Sequence, residues 1–184
     1  MNIPELAKTF FQSLDEEIGP FDRPLQFHPF PFDAGGSLNF LSIGAGKRPF
    51  VTYVSWDLFG HPDQRRGDLG RYELITTCDS EDWCLGAVTN IGKQSLQELF
   101  SPGDTLDIGA WVGRENALQG VVFEEVFKTK IGNVQCGLLG CIGITRPELE
   151  FAIKEGASSL IERLKRNGIY PHTVSGRKTV NLSA

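Results

Sequence analysis

The residues best suited to acid–base chemistry lie in the polar loop 60–70, which contains His61, Asp63 and Asp68. Histidine titrates near neutral pH and can act as a general base, and a neighbouring carboxylate can orient its ring. A hydrolase-type enzyme could therefore use His61 with Asp63 or Asp68. Nothing near the loop supplies an obvious nucleophile or oxyanion site, and residues 68–70 are typical of a turn that connects two strands. We expect no enzyme, and the hydrolase is the alternative.

The rest of the sequence lacks the common catalytic motifs. It contains no P-loop, no dinucleotide-binding Gly-x-Gly-x-x-Gly, no His-Glu-x-x-His and no Gly-x-Ser-x-Gly. Segment 44–47 has a lysine after two glycines, but its spacing fits no phosphate-binding loop and a plain turn explains it better. The other two histidines, His28 and His172, each lie beside a proline.

The four cysteines do not form a recognisable metal site. Structural zinc sites usually take paired thiolates from Cys-x-x-Cys turns. Here five residues separate Cys78 from Cys84, and four separate Cys136 from Cys141. The last two lie in an apolar run, where cysteine commonly acts as a small buried hydrophobic residue. We therefore predict no metal and no cofactor, and disulfide bonds are not favoured in a chain of this size.

Composition and charge place the chain among ordinary globular proteins. Of its 184 residues, 40% are hydrophobic, and 18 basic against 23 acidic residues give a net charge of −5. This balance disfavours nucleic acid as a partner, because such binding needs a basic face. No secretory signal is visible, and the longest apolar-leaning run, 134–145, is too short to span a bilayer. We expect a cytoplasmic protein with one domain over residues 1–184 and no membrane contact.

Three helices are predicted from capping residues and hydrophobic period. The first runs from about Pro4 to Ile18, with Asn2 as its cap. The second, over 81–100, has a ragged apolar stripe and two glycines, which predict a break near Gly92. The third follows a capping box at Thr145 and Glu148 and covers about 146–166. Its predicted apolar stripe consists of Leu149, Ile153, Gly156, Leu160 and Leu164.

Short apolar runs between the helices predict strands, separated by glycine, proline and aspartate. These runs are 25–30, 38–43, 50–56, 72–77, 105–108, 121–127 and 134–144. Because helices and strands do not alternate strictly, we predict an α+β fold with a central mixed, mostly antiparallel sheet and packed helices. The polar residues from about Ser175 onward are expected to be loosely held unless they add an edge strand.

Three blocks of sequence, taken in order, resemble a known family. The first is the aromatic strand 49–60, followed after the polar loop by the strand 70–75. The second is the end of the middle helix, which leads into the turn Ser101–Thr105. The third comprises the apolar strand 134–143, the helix start 144–149 and a basic-containing segment, 177–180. In this order the blocks are similar to the Suppressor of fused domain over roughly residues 48–180.

The resemblance implies a mixed-sheet α+β fold and a role in holding protein partners. Animal members sequester a transcription factor by clamping an extended segment, and they carry a second, C-terminal domain that we do not expect in this protein. Stand-alone bacterial members are similar to immunity proteins that neutralise toxins. We therefore expect a protein-binding domain that acts as an immunity protein or as a sequestering, regulatory adaptor. The resemblance leaves the oligomeric state and the identity of the partner open.

The resemblance also implies one binding residue. Asp104 falls on the family's Ser-Gly-Asp turn, at the position of a partner-binding aspartate. The aromatic residue that the family carries on the preceding helix is not matched, since that stretch reads Asn90-Ile91-Gly92-Lys93. A turn closed by the Asp104 side chain is the alternative explanation. If Asp104 binds a partner, an adjacent edge strand is expected to pair with the partner's backbone.

Overall fold

The computed structural model describes residues 3–24, 31–44, 49–113 and 115–183 of the chain. The α-helices are α1 (Ile3–Ile18), α2 (Glu81–Trp83), α3 (Thr89–Gln94), α4 (Gly109–Val112), α5 (Arg146–Glu155) and α6 (Ala157–Arg166). The strands are β1 (Arg23–Pro24), β2 (Phe40–Ile43), β3 (Val51–Ser55), β4 (Arg71–Cys78), β5 (Thr105–Asp107), β6 (Leu118–Ile131), β7 (Val134–Thr145) and β8 (His172–Thr173). None of the described helices is long and apolar enough to cross a membrane.

The sheet is mixed and mostly antiparallel, as predicted. Its strand order is β1-β2-β3-β4-β7-β6-β5, and β8 pairs with β4 beside this path. Neighbouring strands are antiparallel except at the β4–β7 and β4–β8 pairs, which are parallel. Strand β6 and strand β7 form a long hairpin through Gly132 and Asn133, with register shifts at Gln119 and Val126. The α+β prediction is therefore confirmed, while the predicted strand at 25–30 lies outside the described residues.

One face of the sheet packs against the segment that contains α2 and α3. Tyr72 and Leu74 of β4 and Phe123 of β6 are fully buried there. Trp83 and Ile91 contribute from the helical side. Thirteen phenylalanines and three tryptophans in the chain predict an aromatic core, and several of these rings lie in this cluster.

The opposite face carries helices at both ends. Helix α1 covers one end, where its buried Phe10 packs with Val54 and Leu138. Helices α5 and α6 cover the other end, where the buried side chains include Ile142 of β7 and Leu160 of α6. The middle of this face lies between the two groups of helices.

The predicted middle helix is wrong in its extent and in the position of its break. Helix α2 continues through a π-helical stretch, Cys84–Val88, into α3, which ends at Gln94 rather than at residue 100. Gly92 does not break the helix. A Cβ atom at Gly92 would lie 2.6 Å from Cδ1 of Leu38, so glycine allows this helix to approach the chain closely.

The third predicted helix is also corrected. The capping box at Thr145 is present, with both of its hydrogen bonds. The helix is interrupted at Gly156, whose φ of 93° is unfavourable for other residues, and it resumes as α6. Ile153 is 70% exposed, and Ala152 takes the buried position that the periodic pattern assigned to Ile153.

The C-terminal residues are neither loose nor a strand, contrary to the sequence-based expectation. The Ser175 N–H donates to Asp79, and Arg177 forms an ion pair with Glu148. Val180 and Leu182 pack against the cluster beneath α5 and α6. This segment therefore lies against the domain as an irregular chain.

Candidate functional site

Asp104 occupies an exposed turn and closes it through its side chain. The Ser101 N–H donates to Oδ2 of Asp104 at 2.8 Å, and the Asp104 N–H donates back to the Ser101 carbonyl at 3.0 Å. The Asp104 carbonyl accepts the N–H of Phe123 at 3.0 Å, which joins the turn to β6. Gly103 has a φ of 93°, which suits glycine at this corner. The Asp104 side chain therefore closes the turn, and its carboxylate is also exposed.

Strand β5 begins directly after this turn and lies at the edge of the sheet. It pairs with β6 only, through Thr105–Val122, Leu106–Val121 and Asp107–Gly120. The Ile108 N–H donates to the Gln119 carbonyl. Because backbone groups alternate sides in an antiparallel pair, those of Thr105 and Asp107 point away from β6. In the described part of the chain no strand pairs with this outer side.

An ion pair fixes the far end of β5. Arg146, the first residue of α5, donates to Asp107 through Nη1 at 2.6 Å and Nη2 at 2.8 Å. The Gly109 N–H also donates to Asp107, at 2.9 Å. The Arg146 hydrogen bonds, followed by that of Gly109, hold the pKa of Asp107 below its usual value. The carboxylate is therefore charged at neutral pH and ties β5 to the start of α5.

Trp111 lies just beyond β5, on the single turn of α4, and is 39% exposed. Tryptophan is enriched among residues that dominate protein interfaces. Trp111, Asp107 and Arg146 were not predicted from the sequence as site residues. The available signal for Trp111 was a large aromatic residue six positions after Thr105, between two glycines. Nothing in the sequence indicated the Asp107–Arg146 pair, whose members are 39 residues apart.

In the polar loop 60–70, His61 does not have the carboxylate partner that the hydrolase alternative requires. Nε2 of His61 lies 3.3 Å from Oδ2 of Asp33, not beside the carboxylate of Asp63 or Asp68. The Asp63 backbone N–H donates to Nδ1 of the same ring at 3.3 Å. The His61 ring also packs edge-on against Phe32, with centroids 5.5 Å apart. The carboxylate that orients His61 thus comes from outside the predicted loop.

A polar groove of about 690 Å³ lies beside this loop. Its lining consists of Asp33, Pro62, Asp63, Gln64, Arg65, Lys93, Leu96 and Gln97. These described lining residues include no serine, threonine or cysteine that could serve as a nucleophile. His172 is elsewhere, stacked on Phe50 with ring centroids 4.2 Å apart, and His28 lies outside the described residues. His61 and His172 therefore do not converge.

Two buried glutamates, which were not predicted from the sequence, accept several hydrogen bonds inside the fold. Glu73 accepts hydrogen bonds from the Ser55 hydroxyl at 2.5 Å and from the N–H groups of Phe59 and Leu58 at 2.7 and 3.3 Å. Burial raises the pKa of Glu73 to about 8 despite these donors. The alternation of side chains along β4 predicts which face of the strand Glu73 lies on, but it does not predict that Glu73 is buried.

Glu148 is the second buried carboxylate, and it does more than cap α5. Both guanidinium Nη atoms of Arg177 lie 2.5 Å from its oxygens, and the Thr145 and Val180 N–H groups also donate to it. Burial alone would raise the pKa of Glu148, but Arg177 and these two N–H groups hold it below the usual value. The capping box indicated only the Thr145 contact.

Cys78, Cys136 and Cys141 are free thiols. Cys136 and Cys141 are buried within β7, as the apolar run predicted, and Cys78 is buried in β4. Burial raises the pKa of the Cys141 thiol far above its usual value, which makes it unreactive. Among the residues that the structure describes, no three histidine, cysteine, aspartate or glutamate side chains are grouped so that they could hold a metal ion.

The mixed sheet with helices at both ends of one face defines an α+β fold. The family described as Suppressor of fused protein (SUFU) matches residues 36–178, well over half of the sequence. The chain therefore belongs to the Suppressor of fused family, as the order of its sequence blocks indicated. No curated protein matches the sequence.

Solved structures share the fold at low sequence identity. A chain in the Sufu–Fu complex matches with a TM-score of 0.69 and 15% identity, over 97% of this chain and 91% of that one. Drosophila Suppressor of Fused matches with a TM-score of 0.68 and 16% identity, over 95% of this chain and 50% of the Drosophila chain. A SUFU homolog from Neisseria gonorrhoeae FA 1090 matches with a TM-score of 0.63 and 14% identity, over 97% and 94%.

Proposed function

We propose that this chain is a cytoplasmic protein-binding domain whose partner adds an extended segment to the open edge of β5, beside Asp104. The observation that carries the proposal is the outer side of β5, which no strand of the described ranges pairs with and which lies between an exposed carboxylate and an exposed tryptophan. Strand addition supplies backbone hydrogen bonds, and side chains at the two ends of the strand supply specificity. The buried free thiols of Cys78, Cys136 and Cys141 support a reducing compartment.

The surroundings of β5 support a preformed binding edge. Strand β5 is held by β6 along one side, by the Asp104 turn at its start and by the Asp107–Arg146 pair at its end. A rigid edge loses little conformational entropy when a partner strand binds. Trp111 offers apolar area next to that edge, while Asp104 offers a charge to a basic or amide-rich segment. The solved Sufu–Fu complex shows that a protein of the same fold forms a complex with another protein.

Hydrogen exchange tests where a partner binds. The purified chain is used as bait in extracts of its native cells, and the captured protein is then expressed and purified. If the partner adds a strand to β5, the outward amides of Thr105 and Asp107 should exchange more slowly in the complex. The inward amide of Leu106 is already bonded to β6 and should change little. Protection confined to another surface, with β5 unchanged, would contradict the proposal.

For the biological role, we infer neutralisation of a protein toxin rather than regulation of a transcription factor. The net charge of −5 and the acidic turn at the β5 edge suit a basic partner. A toxin encoded next to the gene would be co-expressed with the chain in a sensitive host. Survival with the wild-type chain, and death with a folded variant that cannot bind, is the expected result. Equal killing with and without the wild-type chain would favour the regulatory role.

A further inference from the structure

The face of the sheet that carries α1 at one end and α5–α6 at the other has a middle section between the two groups of helices, where Ile75 is buried and Glu124 is partly exposed. Ile75 of β4, Gly140 of β7 and Glu124 of β6 are register neighbours across three strands in this middle. A groove of about 220 Å³ opens over them. We call it the sheet-face groove; it is lined by Ile75, Thr76, Thr77, Glu124, Glu125, Val126, Gly140, Cys141, Ile142, Tyr170 and Pro171.

The floor of the sheet-face groove is apolar. A Cβ atom at Gly140 would lie 2.7 Å from Cγ2 of Val126 and 3.0 Å from Cγ of Glu124. These two side chains therefore fold over the glycine and line the floor with methyl and methylene groups. The register shift at Val126 turns this valine onto the groove, where it is 43% exposed. The alkyl part of a long side chain could therefore pack on this floor.

The wall of the sheet-face groove carries the carboxyl group of Glu124, which is half-buried and hydrogen-bonded to Tyr170. Burial raises the pKa of Glu124, and the Tyr170 hydrogen bond and the nearby charge of Lys165 partly oppose the shift. No cation forms an ion pair with Glu124 in the described ranges of the chain. Each nearby cation has another partner: Lys128 pairs with Glu125 at 3.4 Å, and Lys165, whose charge also acts on Glu124, pairs with Glu162 at 3.2 Å and lies over the Tyr170 ring.

We propose that the sheet-face groove binds a single lysine or arginine side chain of a protein partner, with the alkyl stem on Val126 and Gly140 and the cationic end beside Glu124. The volume of about 220 Å³ is below the roughly 300–1,000 Å³ of sites for drug-sized ligands, which fits one side chain. Long cationic side chains bury their methylene groups on apolar surface and keep the charge at a polar rim. The choice of a protein partner rests on the proposed function, but the site is separate from the β5 edge.

Two capped amino acids provide the test, because they share the same alkyl side chain and only one of them carries a positive charge. Nitrogen-15 NMR spectra of the full chain are recorded with N-acetyl-lysine methylamide and with N-acetyl-norleucine methylamide, which has the same stem without the ammonium group. The lysine probe should shift the amide signals of Thr77, Gly140 and Ile142 in a saturable way. The norleucine probe should bind at least about fivefold more weakly, because it forgoes the charge-assisted contact with Glu124.

The Glu124→Gln variant keeps the shape of the side chain and removes its charge. It should bind the two probes equally, whereas the matched control Glu98→Gln, on an exposed glutamate outside the groove, should retain the preference for lysine. Spectra and melting temperatures confirm that both variants are folded. Equal binding of the two probes to the wild-type chain, or an unchanged preference in Glu124→Gln, would overturn the proposal.

Two further outcomes would also overturn it. Shifts that lie outside the groove would place the lysine probe elsewhere. Groove signals that move with protein concentration in the absence of any probe would identify a second copy of the chain as the occupant. These measurements involve neither β5 nor the captured partner. A negative result would therefore contradict the groove proposal without contradicting the proposed binding at β5.

Discussion

Arg177 and Glu148 form a two-pronged ion pair in which both nitrogen–oxygen distances are 2.5 Å. The Glu148 side chain is fully buried, and that of Arg177 is 5% exposed. Arg177 also donates to the Gly143 carbonyl of β7, and the Val180 N–H donates to Glu148. A single pair of charges thus joins the start of α5, the sheet and the C-terminal segment.

Removing one member of this pair should strongly destabilise the domain. Arg177→Met leaves a buried carboxylate without its partner, which typically costs about 3–5 kcal/mol. Arg146→Met, which breaks the exposed pair with Asp107, is the matched control and should have a small effect. Urea unfolding followed by circular dichroism gives both free energies of unfolding. The double variant Arg177→Met/Glu148→Gln should recover part of the loss, because the buried charge is gone. Equal effects of the two single variants would contradict this account.

The buried Glu73 carboxyl should make stability depend on pH. Its pKa rises from 4.5 to about 8 on folding, so the folded state holds a proton that the unfolded state releases between these values. The stabilisation from this group is fully present below pH 4.5 and is lost as the pH rises to about 8. The urea midpoint should therefore fall between pH 5.5 and pH 8, and the fall should shrink in Glu73→Gln. A wild-type midpoint that rises over this interval would contradict the assignment.

Leu160 and Ile153 test the corrected helix face. Leu160 is fully buried and Ile153 is 70% exposed, although the periodic pattern placed both on the apolar stripe. Leu160→Asp should unfold the domain or lower its melting temperature severely, because it buries an unpaired charge. Ile153→Asp should change the free energy of unfolding by no more than about 0.5 kcal/mol. Similar melting of the two variants would mean that the break at Gly156 does not set the helix face.

His61 tests the hydrolase alternative. Binding of the captured partner should be unaffected by His61→Ala or Asp63→Ala, apart from any loss of stability. Under the alternative, the chain turns over a substrate and loses this activity in both variants. Asp33→Asn is the more informative change, because Asp33 is the carboxylate that contacts His61. Turnover that depends on His61 and Asp33 together would favour an enzyme.

Local patterns predicted much of the fold. The capping box at Thr145 and the glycine–proline stop after Ile18 marked helix ends correctly, since both depend on contacts within one turn. The alternating and apolar runs located β2 to β7, because strand periodicity survives whenever one face is buried. The class of fold followed from the order of these elements.

Long-range contacts explain what local patterns missed. Gly92 looked like a helix breaker, but close packing against Leu38 requires a glycine there. Arg177 looked like part of a loose tail, although its partner Glu148 lies 29 residues earlier. At the candidate site, the resemblance indicated Asp104, whereas Trp111 and the Asp107–Arg146 pair became visible only when α4, α5 and β5 were placed together. Neither periodicity nor capping carries such information.

Asp104 combines a structural contact with the proposed binding role, and Asp104→Asn separates the two. Asparagine keeps an oxygen that can accept the Ser101 N–H, so the melting temperature should stay close to that of the wild-type chain. The negative charge offered to the partner is lost. Thr105→Pro is a second probe, because it removes an N–H that points away from β6 and leaves the β5–β6 pairing intact.

The dissociation constant of the captured partner, measured by calorimetry for the wild-type chain and for Asp104→Asn, tests the binding edge most directly. We expect the variant to bind at least about tenfold more weakly, since the loss of one charged partner at an interface typically costs about 2–5 kcal/mol. Asp63→Asn, on an exposed aspartate of the 60–70 loop, should bind like the wild-type chain. Unchanged affinity in a folded Asp104→Asn variant would contradict a role for this carboxylate in partner binding and leave it as a turn residue alone.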